Sequence, residues 1–144
     1  MTFAYFDTSV LVKNYVAEAG SARARALLKT HAFLSSAISP VELISALMRR
    51  RSRGELEAHD LPGILARVRE DRSYWKLLDV GPAVLIRGEE LMQKTRMRTL
   101  DAIHVASAMT FEAGSGMQVP FITGDGQQRD AAARLGLAVV WVGT

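Results

Sequence analysis

Four acidic side chains in this sequence stand where a carboxylate is costly, or at the opening of a helical pattern: Asp7, Glu42, Asp101 and Asp125. Asp7 closes the aromatic run from Phe3 to Phe6. Asp101 interrupts an almost unbroken apolar stretch with Ala102, Ile103, Val105, Ala106, Ala108 and Met109. An unpaired charge in either setting is penalised by lost hydration. Asp125 follows the apolar run Val119 to Thr123, and Glu42 follows Ser39 and Pro40. Singly, each acid has an ordinary explanation, because acids near helix N-termini satisfy orphan amides and complement the dipole. Glu42 alone reads better as the acid of a capping box opened by Ser39.

Gathered at one site, the four would demand a counter-charge. Two carboxylates about 4 Å apart repel by ~1 kcal/mol in water and by ~4 kcal/mol at an effective dielectric of 20. The sequence contains no cysteine, which excludes thiolate sites, and it has no paired histidines at metal-ligand spacing. Mg²⁺ or Mn²⁺ therefore suits these oxygen ligands better than zinc. Such an ion orients a phosphodiester, stabilises the charge developing on it and activates water for attack on phosphorus.

His104 lies three residues after Asp101, so the two can share a helical face. Without a matching histidine it reads as a structural residue with its ring nitrogens hydrogen-bonded in the core. Arg49, Arg50, Arg51 and Arg53 form the densest basic run, and helical spacing puts Arg49 and Arg53 on the face of Glu42. Two readings stand side by side: a solvated helix end that complements the dipole, or a basic track for a nucleic-acid backbone. Arg96 and Arg98, just before Asp101, are similar candidates.

The elements that must position these residues alternate. Phe3 to Phe6, Phe33 to Ala37, Lys76 to Val80, Val119 to Thr123 and Ala138 to Val142 read as strands. Helices are expected from Val10, with Thr8 or Ser9 as cap, over Ser21 to His31, from Ser39 to near Gly54, and over Pro82 to about Thr95. A further helical stretch is interrupted near Pro62 and Gly63. Thr99 is expected to cap the helix of Asp101, and Gln127 to Leu135 forms the last helix. Alternation of this kind predicts an α/β fold with a central parallel sheet of about five strands, covered by helices on both faces. In such sheets ligands gather beyond the carboxyl ends of the strands, where Asp7 and Asp125 stand. The helix N-termini carrying Glu42 and Asp101 return to one rim or the other, and the same rim would join all four acids.

Composition agrees with one domain over residues 1–144: hydrophobic residues are 49% and charged residues 23%, far from a disordered chain. No apolar run approaches the ~20 residues that span a bilayer, and Asp7 breaks the first apolar run before it could serve as a signal peptide. No membrane association and a cytoplasmic location are expected. The net charge is +3, and 14 of 18 basic residues are arginine, the side chain best shaped to grip phosphate.

The stretches Tyr5-Phe6-Asp7-Thr8-Ser9, Ser39-Pro40-Val41-Glu42-Leu43, Leu100-Asp101-Ala102-Ile103-His104-Val105-Ala106 and Ile122-Thr123-Gly124-Asp125 resemble the four acidic motifs of PIN-domain ribonucleases. Order and spacing agree across nearly the whole chain, and the VapC-like toxins of toxin-antitoxin pairs are the most similar type. The resemblance implies Asp7, Glu42, Asp101 and Asp125 as metal-binding acids, with Thr8, Ser9 and Thr123 as hydroxyl neighbours. It also implies Mg²⁺ or Mn²⁺ as cofactor, endonucleolytic cleavage of RNA, a homodimer and a cognate antitoxin. Gly124 and Gly126 stand where bulkier residues are common in that family, which predicts a looser loop and leaves both direct contact of Asp125 with the metal and contact through water open.

Two other classes compete. A receiver-like phosphotransfer domain would want paired acids at the first strand and a late lysine, whereas Asp7 stands alone and no lysine follows Lys94. A phosphatase with an aspartate nucleophile would want an acid where Ser9 stands. A non-catalytic RNA-binding module suits the arginines, but the four acids oppose a polyanion unless a metal neutralises them.

Overall fold

The computed structural model describes residues 1–143. Five parallel strands form one sheet: β1 (Phe3–Phe6), β2 (Ala32–Ser36), β3 (Lys76–Leu78), β4 (Phe121–Thr123) and β5 (Val139–Trp141), in the order β3-β2-β1-β4-β5. Seven helices surround it among the described residues: α1 (Thr8–Tyr15), α2 (Ser21–Thr30), α3 (Ser39–Ser52), α4 (Leu61–Arg72), α5 (Pro82–Lys94), α6 (Thr99–Ser115) and α7 (Gly126–Arg134). The predicted α/β fold with about five parallel strands is what forms.

Side chains of a strand alternate between faces, and β1 shows the consequence directly. Ala4 and Phe6 join a core with residues of α1, α2, α3 and α4, while Tyr5 joins a second core with residues of α5, α6 and α7. The sheet is thus covered on both faces. This explains why its strands read as continuous apolar runs. α6 supplies seven consecutive buried residues, Ala102 to Ala108, and ends where Gly116 turns left-handed at φ 72°.

The chain builds outward from β1 through β2 to β3, then returns to the other side of β1 for β4 and β5. Between β1 and β4 the direction of winding reverses. Such a switch point opens a crevice at the carboxyl ends of its two strands. Asp7 follows β1 and Asp125 follows β4 by two residues, and Asp7 N–H extends the ladder by donating to Ile122 O at 3.1 Å.

Several helix starts differ from the sequence expectations. Asp7, not Thr8 or Ser9, is the cap of α1; Ile38, not Ser39, that of α3; Arg98, not Thr99, that of α6. None of the three supplies a capping side-chain bond. The capping box at Ser39 and Glu42 does not form, because the hydroxyl of Ser35 at the end of β2 engages the serine. Ser39 and Ser35 hydroxyls lie 2.6 Å apart, and Ser35 Oγ donates to Phe6 O at 2.6 Å. Pro62 and Gly63 do not interrupt a helix either: they lie in the first turn of α4, where proline lacks only an amide that has no partner anyway.

Candidate active site

Asp7, Glu42, Asp101 and Asp125 line one cavity of about 640 Å³ at the switch point, together with Thr8, Ser9, His104 and Gln128. The N-termini of α3 and α6 therefore come to the rim of Asp7 and Asp125. Sequence alone left that choice open.

Asp7 is 2% exposed and is held by both oxygens. Ser9 Oγ donates to Oδ1 at 2.5 Å and Thr123 Oγ1 to Oδ2 at 2.7 Å. Burial pushes its carboxyl up to about 6, opposed by His104 and by the Ser9 and Thr123 hydroxyls, and assisted by the negative charge of Asp125. Glu42 sits in the first turn of α3, and its Oε1 takes two short bonds, from Thr8 Oγ1 at 2.6 Å and from His104 Nε2 at 2.6 Å. Burial raises this carboxyl too, but the His104 bond, Thr8 and the charge of Arg49 outweigh it and hold Glu42 below its ordinary range.

Asp101 accepts a 2.9 Å bond from Gln128 Nε2 on Oδ1. Its Oδ2 is buried and accepts no hydrogen bond; Arg98 Nε lies 3.5 Å away, on a side chain that is mostly exposed. Gln128 Oε1 is a second buried acceptor without a partner. Buried acceptors left unpaired cost on the order of 1–3 kcal/mol each, so two beside each other mark a place where a cation or its water is wanted.

Asp125 caps α7 through Oδ1, which accepts from Gln127 N–H at 2.9 Å and Gln128 N–H at 3.2 Å. Its own N–H donates to Thr123 Oγ1 at 3.0 Å. The loop is therefore pinned rather than loose, and Gly124 has a packing reason. A Cβ there would lie 2.6 Å from Lys13 Cε and 3.4 Å from Ser9 Oγ, while Gly124 N–H donates to that same Ser9 Oγ at 2.8 Å.

Among the described residues, no three histidine, aspartate or glutamate side chains approach closely enough to form a ready-made metal cage. The donor set nonetheless fits a hard, strongly hydrated ion. Mg²⁺ keeps several waters and is commonly bound through one or two carboxylates, which the orphaned Asp101 Oδ2 and the single-sided bonding of Glu42 and Asp125 leave room for.

Arg49, Arg50 and Arg53 line the same cavity. Arg50 is committed to Glu18 at 2.5 Å and Glu55 at 3.4 Å, whereas Arg49 donates only to Ser45 Oγ, at 2.7 Å. Arg96 lies apart, in a second cavity with Lys94, Gln127 and Arg134. Sequence reasoning missed Gln128 and Lys13, a cavity-lining cation whose Nζ donates to Ala19 O at 2.7 Å and contacts Glu18 at 3.3 Å. His104 is buried with both ring nitrogens bonded, as expected of a structural histidine, but one partner is an acid of the site.

A family model described as PIN domain matches residues 4–134. Solved structures with a matching fold include a chain from a toxin-antitoxin complex from Klebsiella pneumoniae, 17% identical over 95% of each chain, with a TM-score of 0.60. At that identity the likeness concerns the fold. No curated protein matches the chain. The family model spans nearly the whole chain and all four cavity acids, and the chain belongs to the PIN domain family.

Proposed function

We propose that this protein is a divalent-metal-dependent endoribonuclease acting as the toxin of a toxin-antitoxin pair. The observation that carries the reading is the buried Asp101 Oδ2, which accepts no hydrogen bond and meets only the guanidinium of the mostly exposed Arg98, beside three further carboxylates at the switch point. Asp7, Glu42, Asp101 and Asp125 would hold Mg²⁺ or Mn²⁺. Bound there, the ion would neutralise the acids, orient an RNA phosphodiester and activate water.

The chain's own groups do the positioning. Ser9 and Thr123 fix Asp7, Thr8 and His104 fix Glu42, and Gln128 fixes Asp101. Arg49 and Arg53 hold substrate phosphates on the α3 wall of the cavity, and Arg98, beside Asp101, extends that hold. An antitoxin partner is supported by the toxin-antitoxin complex among the structural neighbours. The exposed Val41, Ile44 and Met48 along α3 offer an apolar segment of that partner a face beside the cavity. A homodimer would use the other exposed apolar side chains, Leu85, Ile86 and Met92 of α5. Among the described residues no helix is long and apolar enough to cross a membrane, and action on cytoplasmic RNA is part of the proposal.

Purified protein should cleave RNA internally in Mg²⁺ or Mn²⁺, lose the activity in chelator and recover it when the ion is restored. Full cleavage in excess chelator would end the metal-nuclease reading. Inhibition by a small protein encoded beside this one would support the toxin role, and indifference to it would oppose that role alone.

A further inference from the structure

His104 and Tyr5 are buried and would touch neither substrate nor cation, yet they end on one of the four acids. Tyr5 OH lies 2.8 Å from His104 Nδ1, and His104 Nε2 lies 2.6 Å from Glu42 Oε1. The carboxylate only accepts, so Nε2 carries a hydrogen; Nδ1 and the Tyr5 hydroxyl share the second bond, the hydroxyl donating to a neutral ring and accepting from an imidazolium. His104 Nε2 also lies 3.2 Å from Thr8 Oγ1, so the two groups that donate to Glu42 Oε1 touch each other as well.

Neither ring is free to turn. Tyr5 is fully buried and stacked on Phe121 at 5.3 Å and 6°, with the His104 ring set edge-on to it at 5.9 Å. The line joins β1, α6 and α3, and Thr8 of α1 adds the second donor to Glu42 Oε1. Both donors fall on the same oxygen. Oε1 is thereby saturated, and among the described residues no hydrogen bond reaches Oε2.

We infer that Tyr5 and His104 are positioning residues of the metal site: they fix Glu42 through Oε1 so that Oε2 alone remains for the cation. A free glutamate loses rotamer entropy when it is fixed. Here folding bears that cost before any ion arrives. Gln128 treats Asp101 in the same way, bonding Oδ1 and leaving Oδ2 without a hydrogen bond. The inference rests on the metal reading of the site and goes beyond it in assigning uncharged core residues to ion affinity.

The test is Mn²⁺ binding to the full chain, measured by titration calorimetry or by the spin-resonance signal of free Mn²⁺, with the half-activating Mg²⁺ for RNA cleavage recorded alongside. His104→Leu should weaken Mn²⁺ binding by about 10- to 100-fold, the usual effect of removing a group that orients a metal ligand. The half-activating Mg²⁺ should rise by a similar factor. His104→Gln, whose amide can replace the Nε2–H donor, should recover most of the loss, and Tyr5→Phe should weaken binding in the same direction. A folded His104→Leu that binds Mn²⁺ as tightly as the native chain overturns the inference and leaves the nuclease reading standing. If that variant does not fold, Tyr5→Phe decides: unchanged affinity overturns the inference, and weakened affinity upholds it. A native chain that binds no Mn²⁺ overturns the metal reading itself, and the inference with it.

Discussion

Asp7 is a carboxyl buried almost completely, and its titration should be visible in the stability of the metal-free protein. Its carboxyl is raised from 3.8 to about 6, so the folded state favours the protonated form. That contribution is complete below about pH 4 and is lost as pH rises through about 6, in total on the order of 2–3 kcal/mol. Glu42 is shifted the opposite way, so its contribution is present above about pH 4.5 and is lost in more acid solution. Between about pH 5 and 6.5 the slope therefore belongs to Asp7. In chelator, melting temperature should rise as pH falls across that window, and Asp7→Asn should remove the slope while being at least as stable near pH 7. An unchanged slope in the variant would contradict this assignment. Asp7 and Asp101 were legible in the sequence because each charge interrupts an apolar pattern. Gln128 was not, since its partner Asp101 lies 27 residues away and nothing in an amide's type marks it. The bond between His104 and Glu42 was hidden for the same reason, with 62 residues between them.

At the scale of elements, alternating apolar runs and helical patterns placed every strand and nearly every helix, because burial on both faces of a sheet writes itself into composition. Helix starts were the weak point. Ser39-Pro40-Val41-Glu42 has the local form of a capping box, but the Ser35 hydroxyl, itself anchored on the Phe6 carbonyl, engages the serine instead. Glu42 is thereby left for the cavity. Gly20, just before α2, packs against the backbone that follows β5. Its φ is 86°, and a Cβ there would lie 1.8 Å from Val142 O. Gly20→Ala should therefore destabilise the protein by about 2–5 kcal/mol, combining left-handed strain with overpacking against backbone. Chemical denaturation would check this, and a change below about 0.5 kcal/mol would mean that the turn between α1 and α2 does not pack against the end of β5 as described.

For the molecule as a whole, the placement of charge matters more than its sum. A net +3 is modest, yet the sheet order brings four acids to one crevice, with Arg49 and Arg53 beside them on α3. An RNA strand crossing the cavity would exchange counterions for those guanidinium groups. Replacing both arginines by alanine should weaken RNA binding and flatten its dependence on the logarithm of salt by about 1–1.5, at ~0.7 per phosphate contact on single strands. An unchanged slope would return the two arginines to a solvated helix end. The central claim is that the four carboxylates form a metal-dependent catalytic centre, and Asp101 offers its sharpest test, because its Oδ2 is buried without a hydrogen bond. The decisive measurement is the single-turnover rate of RNA cleavage by Asp101→Asn in saturating Mg²⁺, with a thermal melt in chelator as the control on folding. The account predicts that cleavage is abolished in a protein as stable as the native one or more so, since mutual repulsion among the acids is relieved. An active but destabilised Asp101→Asn would contradict it.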